Sequence, residues 1–241
     1  MARLYIVGIG SKGKDDMTLR AIDAIEKSDV IVGDKTCLKY LGSLADGKEI
    51  FPIRMKEGTE GCKYSIGKVK EGKTTSILVY GDSCLYGIAG YALKVSYDIE
   101  VEVIPGITTV SFAASKLGAP IMDDFCYINL SDFAISWEAI EKRIRYASMG
   151  NFVIVLYCYK KREKIFYIEK AVEIMLNFKL PSTPVGIVEN LDDQDKVIIT
   201  TLGDINFEEI SMDSIIMIGN SKTYIKSGKV ITSGEENALT L

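Results

Sequence analysis

Glycine-bearing turns hold the residues best suited to chemistry. Gly8-Ile9-Gly10-Ser11-Lys12-Gly13 follows one β-branched run, Gly81-Asp82-Ser83 another, and Pro105-Gly106-Ile107-Thr108 a third. Bare backbone amides at such turns can grip an anion or a nucleotide. The first turn fits the G-x-G-x-x-G dinucleotide fingerprint, with Asp34 roughly twenty residues on, at the end of the next strand. Taken instead as a phosphate loop, it fails at Asp15, where serine or threonine is required. Asp15 and Asp16 would repel a pyrophosphate, and the following helix starts only near Thr18. The turn therefore reads as a tight strand-to-helix connection whose glycines supply backbone freedom. A nicotinamide-dependent oxidoreductase stays as an alternative.

The chain contains no histidine. Ser-His-Asp and Cys-His nucleophilic sites are excluded with it, as are histidine-bound metals, and no metal site is expected. Proton transfer falls to carboxylates, lysine, tyrosine, cysteine or water. The five cysteines, Cys37, Cys62, Cys84, Cys126 and Cys158, are odd in number and show no Cys-x-x-Cys spacing. They are expected to be reduced and mainly structural, with neither a disulfide framework nor a zinc site. A net charge of −4 offers no basic footprint for nucleic acid. No apolar run is long enough to span a bilayer, and the first residues lack the apolar core of a signal peptide. A cytoplasmic protein without membrane or nucleic-acid partners is expected.

The elements that must position these turns follow from the pattern. Residues 4–7, 30–32, 76–80 and 99–104 read as strands. Thr18 can cap a helix whose apolar positions include Leu19, Ile22 and Ile25. Residues 108–117 read as a small-residue helix. Beyond Gly118-Ala119-Pro120, residues 126–130, 152–157, 185–188, 196–201 and 215–218 read as strands, with helices over 137–147 and about 165–178. The spacing predicts two α/β domains, 1–118 with a mostly parallel sheet and 119–241 with a mixed one. No internal repeat is present, and the last residues, 235–241, look frayed.

Set in order, the motifs resemble those of the tetrapyrrole methylase superfamily. Val7-Gly8-Ile9-Gly10 with Met17-Thr18-Leu19 is similar to its opening V-G-x-G-P-G and Leu/Met-Thr, with Ser11-Lys12 in place of Pro-Gly. Ser28-Asp29-Val30-Ile31-Val32-Gly33 with Lys35-Thr36 is similar to A-D-V-I-V-G-Y-K-T, with Asp34 in place of tyrosine. The stretch from Val79-Tyr80-Gly81-Asp82 to Tyr86-Gly87-Ile88-Ala89-Gly90 resembles V-S-S-G-D-A-G-I-Y-G-M-A-G. Val103-Ile104-Pro105-Gly106-Ile107-Thr108, Leu117-Gly118-Ala119-Pro120, Leu130-Ser131-Asp132, Trp137-Glu138 and Thr183-Pro184-Val185-Gly186 continue the likeness in order. The Leu-Ser-Asp and Trp-Glu segments point to the precorrin-3B C-17 methyltransferase subgroup. Departures occur at Cys158, at Gly58 and Gly61 where the family carries Glu and Arg, and at the terminal Thr232-Ser233-Gly234.

The resemblance implies two α/β domains with the active site in the cleft between them, S-adenosylmethionine as cofactor, a tetrapyrrole substrate and a homodimer. It implies methylation of precorrin-3B or cobalt-factor III at carbon 17 with ring contraction. It assigns Gly81, Asp82, Ser83, Leu85, Tyr86, Thr108, Thr109, Tyr157 and Gly186 to the cofactor. Asp34 lies where related members place an acid suspected of handling a proton, which makes it the candidate base; a solvated turn carboxylate is the alternative. Ser11 lies in the loop expected to cover the substrate. Lys35, Arg54 and Lys56 could pair with tetrapyrrole carboxylates through charge-assisted bonds. The bland alternatives stay open: Asp82 as a turn former, Thr108 as a helix cap, Tyr157 as a core aromatic, Gly186 as relief of close packing. The departures leave two further alternatives, a superfamily member with a different substrate and a non-catalytic tetrapyrrole-binding relative.

Overall fold

A computed structural model describes residues 1–54, 57–130, 135–157, 165–189, 195–210 and 214–234. The chain divides into two compact units, Met1–Thr109 and Val110–Leu241. The break expected at Gly118 falls at the far end of a helix, α5, that begins at Thr109.

The first unit is built on five parallel strands, β1 (Leu4–Gly8), β2 (Val30–Asp34), β3 (Glu49–Ile53), β4 (Thr75–Val79) and β5 (Val101–Ile104), in the order β3-β2-β4-β1-β5. Both faces of β1 are buried, so its run is apolar throughout instead of alternating. Tyr5 and Val7 pack on α1 (Leu19–Glu26) and on Cys37 of α2 (Lys35–Leu38). Leu4 and Ile6 pack on the opposite face, with Cys62 and Val69 of α3 (Gly58–Lys70) and Ala89 and Ala92 of α4 (Ala89–Val95). Thr18 caps α1 as expected, its hydroxyl accepting from the Ala21 N–H at 3.1 Å. The edge strand β3 carries Pro52, which only an edge tolerates. Because every strand is parallel, the loops after β1, β2, β4 and β5 leave from one edge of the sheet. In such sheets ligands bind at that carboxyl edge.

In the second unit, the five-stranded sheet has the order β10-β9-β11-β8-β7, and β12-β13-β6 form a small companion sheet. The strands are β6 (Gly118–Ala119), β7 (Phe125–Asn129), β8 (Val153–Tyr157), β9 (Pro184–Glu189), β10 (Lys196–Thr201), β11 (Ile215–Ile218), β12 (Thr223–Lys226) and β13 (Lys229–Thr232). Only β7 and β8 run parallel within the larger sheet, which makes it mixed as expected. One face is covered by α6 (Trp137–Met149) and α7 (Ile165–Leu176), through Ile140, Ile144, Ile168 and Met175. The other is covered by α5 (Thr109–Leu117), through Val110, Ala113 and Leu117. Lys179, just past α7, is buried and donates to the carbonyls of Phe152 at 2.8 Å and Gly219 at 2.9 Å. Burial pushes its pKa down to about 8, against a weaker opposing influence of Cys126. No helix among the described residues is long and apolar enough to cross a membrane.

Candidate functional site

The ends of β1, β4 and β5 converge on glycine. A β-carbon on Gly8, the last residue of β1, would lie 2.6 Å from the Gly106 nitrogen and 2.8 Å from the Gly81 carbonyl oxygen. A β-carbon on Gly106, just past β5, would lie 2.1 Å from that same oxygen. Such separations are out of reach for any side chain, so Gly8 and Gly106 are both required. Gly81 takes φ +71°, a left-handed conformation that turns the chain back over β1. There Gly10 and Gly81 exchange backbone hydrogen bonds, Gly10 N–H to Gly81 at 3.1 Å and Gly81 N–H to Gly10 at 2.9 Å.

Asp82 fastens this junction. One carboxylate oxygen accepts from the Gly106 N–H at 3.0 Å. The other accepts from the N–H groups of Cys84 at 2.8 Å and Leu85 at 3.2 Å. Asp82 thus turns the loop and also clamps the β4 end to the β5 end. Ser83 is buried behind it. The loop then curls so tightly that a β-carbon on Gly87 would meet the Ser83 carbonyl oxygen at 2.2 Å. Tyr86 adopts φ +57° in that curl, a strained backbone for a side-chain-bearing residue. Leu85 and Tyr86 are about half exposed there, and Ile107 also shows its side chain to solvent. Thr109 packs on Gly81: its Cγ2 would stand 3.4 Å from a β-carbon placed there. Thr108 directly precedes α5, in the cap position.

The loop after β1 is held at its base. Ser11 is fully buried; its N–H donates to Asp16 at 3.3 Å and its carbonyl accepts from the Tyr80 hydroxyl at 3.0 Å. The Ser11 hydroxyl has no hydrogen-bond partner. Gly13 is roofed by Tyr40, whose ring would lie 2.7 Å from a β-carbon there. A short 3₁₀ turn, Gly13–Asp16, separates these glycines from α1. They therefore do not stand at a helix N-terminus, which a pyrophosphate would need.

Asp34 ends β2 and caps α2, its carboxylate accepting from the Cys37 N–H at 2.9 Å. Burial, and then the charge of Asp34, push the Cys37 thiol well above its usual range; a weaker influence of the Tyr80 backbone opposes this. Lys35 and Arg54 are exposed, and Arg54 lies near Glu57. Lys56 lies outside the described residues, as do Cys158 and the Ser131-Asp132 segment.

The residues expected at a cofactor thus fall into two sets. Gly81, Asp82, Ser83, Leu85, Tyr86, Thr108 and Thr109 share the carboxyl edge of the first sheet. Tyr157 and Gly186 belong to the second unit. Tyr157 ends β8 half-buried, its ring 6.1 Å from that of Tyr127. Gly186 lies inside β9, where a β-carbon would meet the Leu117 side chain at 2.5 Å. Sequence reasoning passed over Gly8 and Gly106 as partners, and over Tyr80 and Asp16. A Pro-Gly directly after a strand was the available signal for Gly106; the other three depend on contacts remote in the chain.

This arrangement defines a class first: a parallel α/β unit with a glycine-packed, threonine-flanked loop cluster at its carboxyl edge. The family model for Tetrapyrrole (Corrin/Porphyrin) Methylases matches residues 3–206. The chain belongs to that family. It is 36% identical over 234 residues to a probable cobalt-factor III C(17)-methyltransferase of Salmonella typhimurium, covering 95% of this chain and 97% of that protein. The crystal structure of the methyltransferase CobJ superposes with TM-score 0.88 at 24% identity, over 97% of this chain and 100% of that one. The uroporphyrin-III C-methyltransferase of Thermus thermophilus complexed with S-adenosylhomocysteine superposes with TM-score 0.68 at 17% identity, over 90% and 92% of the two chains.

Proposed function

We propose that the protein transfers a methyl group from S-adenosylmethionine to carbon 17 of cobalt-factor III or precorrin-3B, with contraction of the macrocycle, in cobalamin biosynthesis. The observation that carries this reading is the junction of Gly8, Gly81 and Gly106, clamped by Asp82, in a chain whose near-full-length relative is named a probable cobalt-factor III C(17)-methyltransferase. The residues fit the cofactor. The strand ends are stripped of side chains, flanked by the hydroxyl-bearing Thr108 and Thr109, and rimmed by the exposed Leu85, Tyr86 and Ile107. Such a site suits a nucleoside with an apolar thioether better than a pyrophosphate.

The cofactor supplies a methyl group on a sulfonium, an excellent leaving group, so the protein's work is alignment and exclusion of water. A chain without histidine can do that. Gly81 to Leu85 would hold the cofactor through backbone groups, with Asp82 fixing the loop instead of donating charge to the ligand. Thr108 and Thr109 would supply hydroxyl contacts, and the family resemblance adds Tyr157 and Gly186 to the candidate cofactor residues. Asp34 is the candidate base, and Ser11, Lys35, Arg54 and Lys56 the candidate substrate contacts. We read the protein as a cytoplasmic homodimer, a state that analytical ultracentrifugation would test.

Isothermal titration with S-adenosylhomocysteine, with NAD as parallel control, tests the cofactor reading. Micromolar binding of the former alone is expected; binding of NAD alone would overturn the assignment. Anaerobic incubation with cobalt-factor III and S-adenosylmethionine should then yield a product heavier by one methyl group.

A further inference from the structure

We propose that Tyr80 is a positioning residue for methyl transfer: its hydroxyl sets the Ser11 segment. The inference rests on the reading given under Proposed function. Tyr80 is the single residue between the end of β4 and Gly81. Its hydroxyl reaches 69 residues back along the chain to the Ser11 carbonyl, at 3.0 Å. Its ring packs, partly buried, on the cluster that contains Ile9, Met17 and Cys37. One side chain therefore ties the loop after β4 to the loop after β1.

The segment it holds is fixed from two other directions. Gly10 is paired with Gly81, and the Ser11 N–H with Asp16. Ser11-Lys12 stand where the resembled motif has Pro-Gly, and Tyr80 where it has serine. These two departures touch each other. A segment without the proline ring needs its conformation set from outside, and the Tyr80 hydroxyl does that. The Ser11 hydroxyl is buried and unpartnered within the chain, an arrangement that costs stability unless a ligand or water meets it. The Asp82 clamp and the glycine junction, by contrast, are made without the Tyr80 hydroxyl. Removing that hydroxyl should therefore disturb presentation of the tetrapyrrole and leave cofactor affinity alone.

The test is Tyr80→Phe, which deletes only the hydroxyl, with Asp16→Ala as a second variant that releases Ser11 from its other side. In Tyr80→Phe the KM for cobalt-factor III should rise about three- to tenfold, the worth of one hydrogen bond. The Kd for S-adenosylhomocysteine should stay within about twofold of wild type. Amide exchange should quicken at residues 10–16 and stay slow in β4. Asp16→Ala should show the same split. Unchanged KM and exchange in Tyr80→Phe would overturn the proposal. So would parallel losses in KM, cofactor affinity and protection throughout the first unit, which would mark a merely structural role. If the wild type itself fails to turn over a tetrapyrrole, the functional reading falls and the role of Tyr80 in the reaction with it; exchange at residues 10–16 tells the two failures apart.

Discussion

Gly106 and Gly81 are in backbone contact: a β-carbon on Gly106 would sit 2.1 Å from the Gly81 carbonyl oxygen. The closeness lets Asp82 reach the Gly106 N–H and bind the β4 end to the β5 end. Gly106→Ala must push two backbones apart. It should weaken S-adenosylhomocysteine binding at least tenfold, about 1.4 kcal/mol, and lower the melting temperature. Gly90→Ala is the control. Gly90 lies in α4 with open space where a β-carbon would go. That change should stabilise by about 0.4–1 kcal/mol and leave binding as it was. Titration calorimetry and thermal melts check both.

Asp82→Asn tests the clamp without changing its shape. An amide can still accept from Cys84 and Leu85 but then presents a donor to the Gly106 N–H. Hydrogen bonds to a charged group are worth about 1.5–3 kcal/mol, so a loss of roughly one to two decades in S-adenosylhomocysteine affinity is expected. An Asp82→Asn protein that binds like wild type would show that the clamp does not shape the site.

Asp34 carries both a cap and a candidate proton-handling role. Asparagine is as good a cap as aspartate, so Asp34→Asn separates the two. If Asp34 is the base, turnover should fall by about 10²–10⁴-fold with the melting temperature nearly unchanged. If it only caps α2, turnover should persist.

Lys179 gives the second unit a pH dependence. Its pKa is lowered from 10.5 to about 8 by burial. Below about 8 it is charged in both folded and unfolded chains, and the full burial cost is present. Between about 8 and 10.5 the unfolded chain binds more protons than the folded one, so stability should rise with pH across that window. Thermal melts of wild type and Lys179→Met from pH 7 to above 10 read the difference. Lys179→Met should lose the rise, and should be destabilised at every pH because the Phe152 and Gly219 carbonyls lose their donor.

Much of the frame was legible because buried strands announce themselves. The β-branched runs of β1, β2, β4, β8 and β11 are visible without a structure, and Thr18 is an ordinary cap. The helix α3 was not visible. It contains Gly58, Gly61 and Gly67, which lower helix propensity. Two of these glycines instead admit neighbours: β-carbons there would meet Ile88 at 2.6 Å and Ile53 at 2.9 Å. Positions that look like lost charges in the motif are thus sites of close packing, a tertiary reason that no local pattern carries. The edge strand β3 was hidden by Pro52. At the site, Gly81-Asp82 could be read from a strand that ends in a turn. The contacts of Asp82 with Gly106, and of Tyr80 with Ser11, join residues 24 and 69 apart and depend on the order of strands in the sheet.

The most direct test of the account is an anaerobic reaction of the purified protein with cobalt-factor III and S-adenosylmethionine labelled with carbon-13 in its methyl group. The account predicts a singly methylated, ring-contracted product whose label resides on carbon 17. A label on any other ring carbon would contradict the substrate reading, and recovery of unlabelled cobalt-factor III by a protein that binds S-adenosylhomocysteine would contradict catalysis itself.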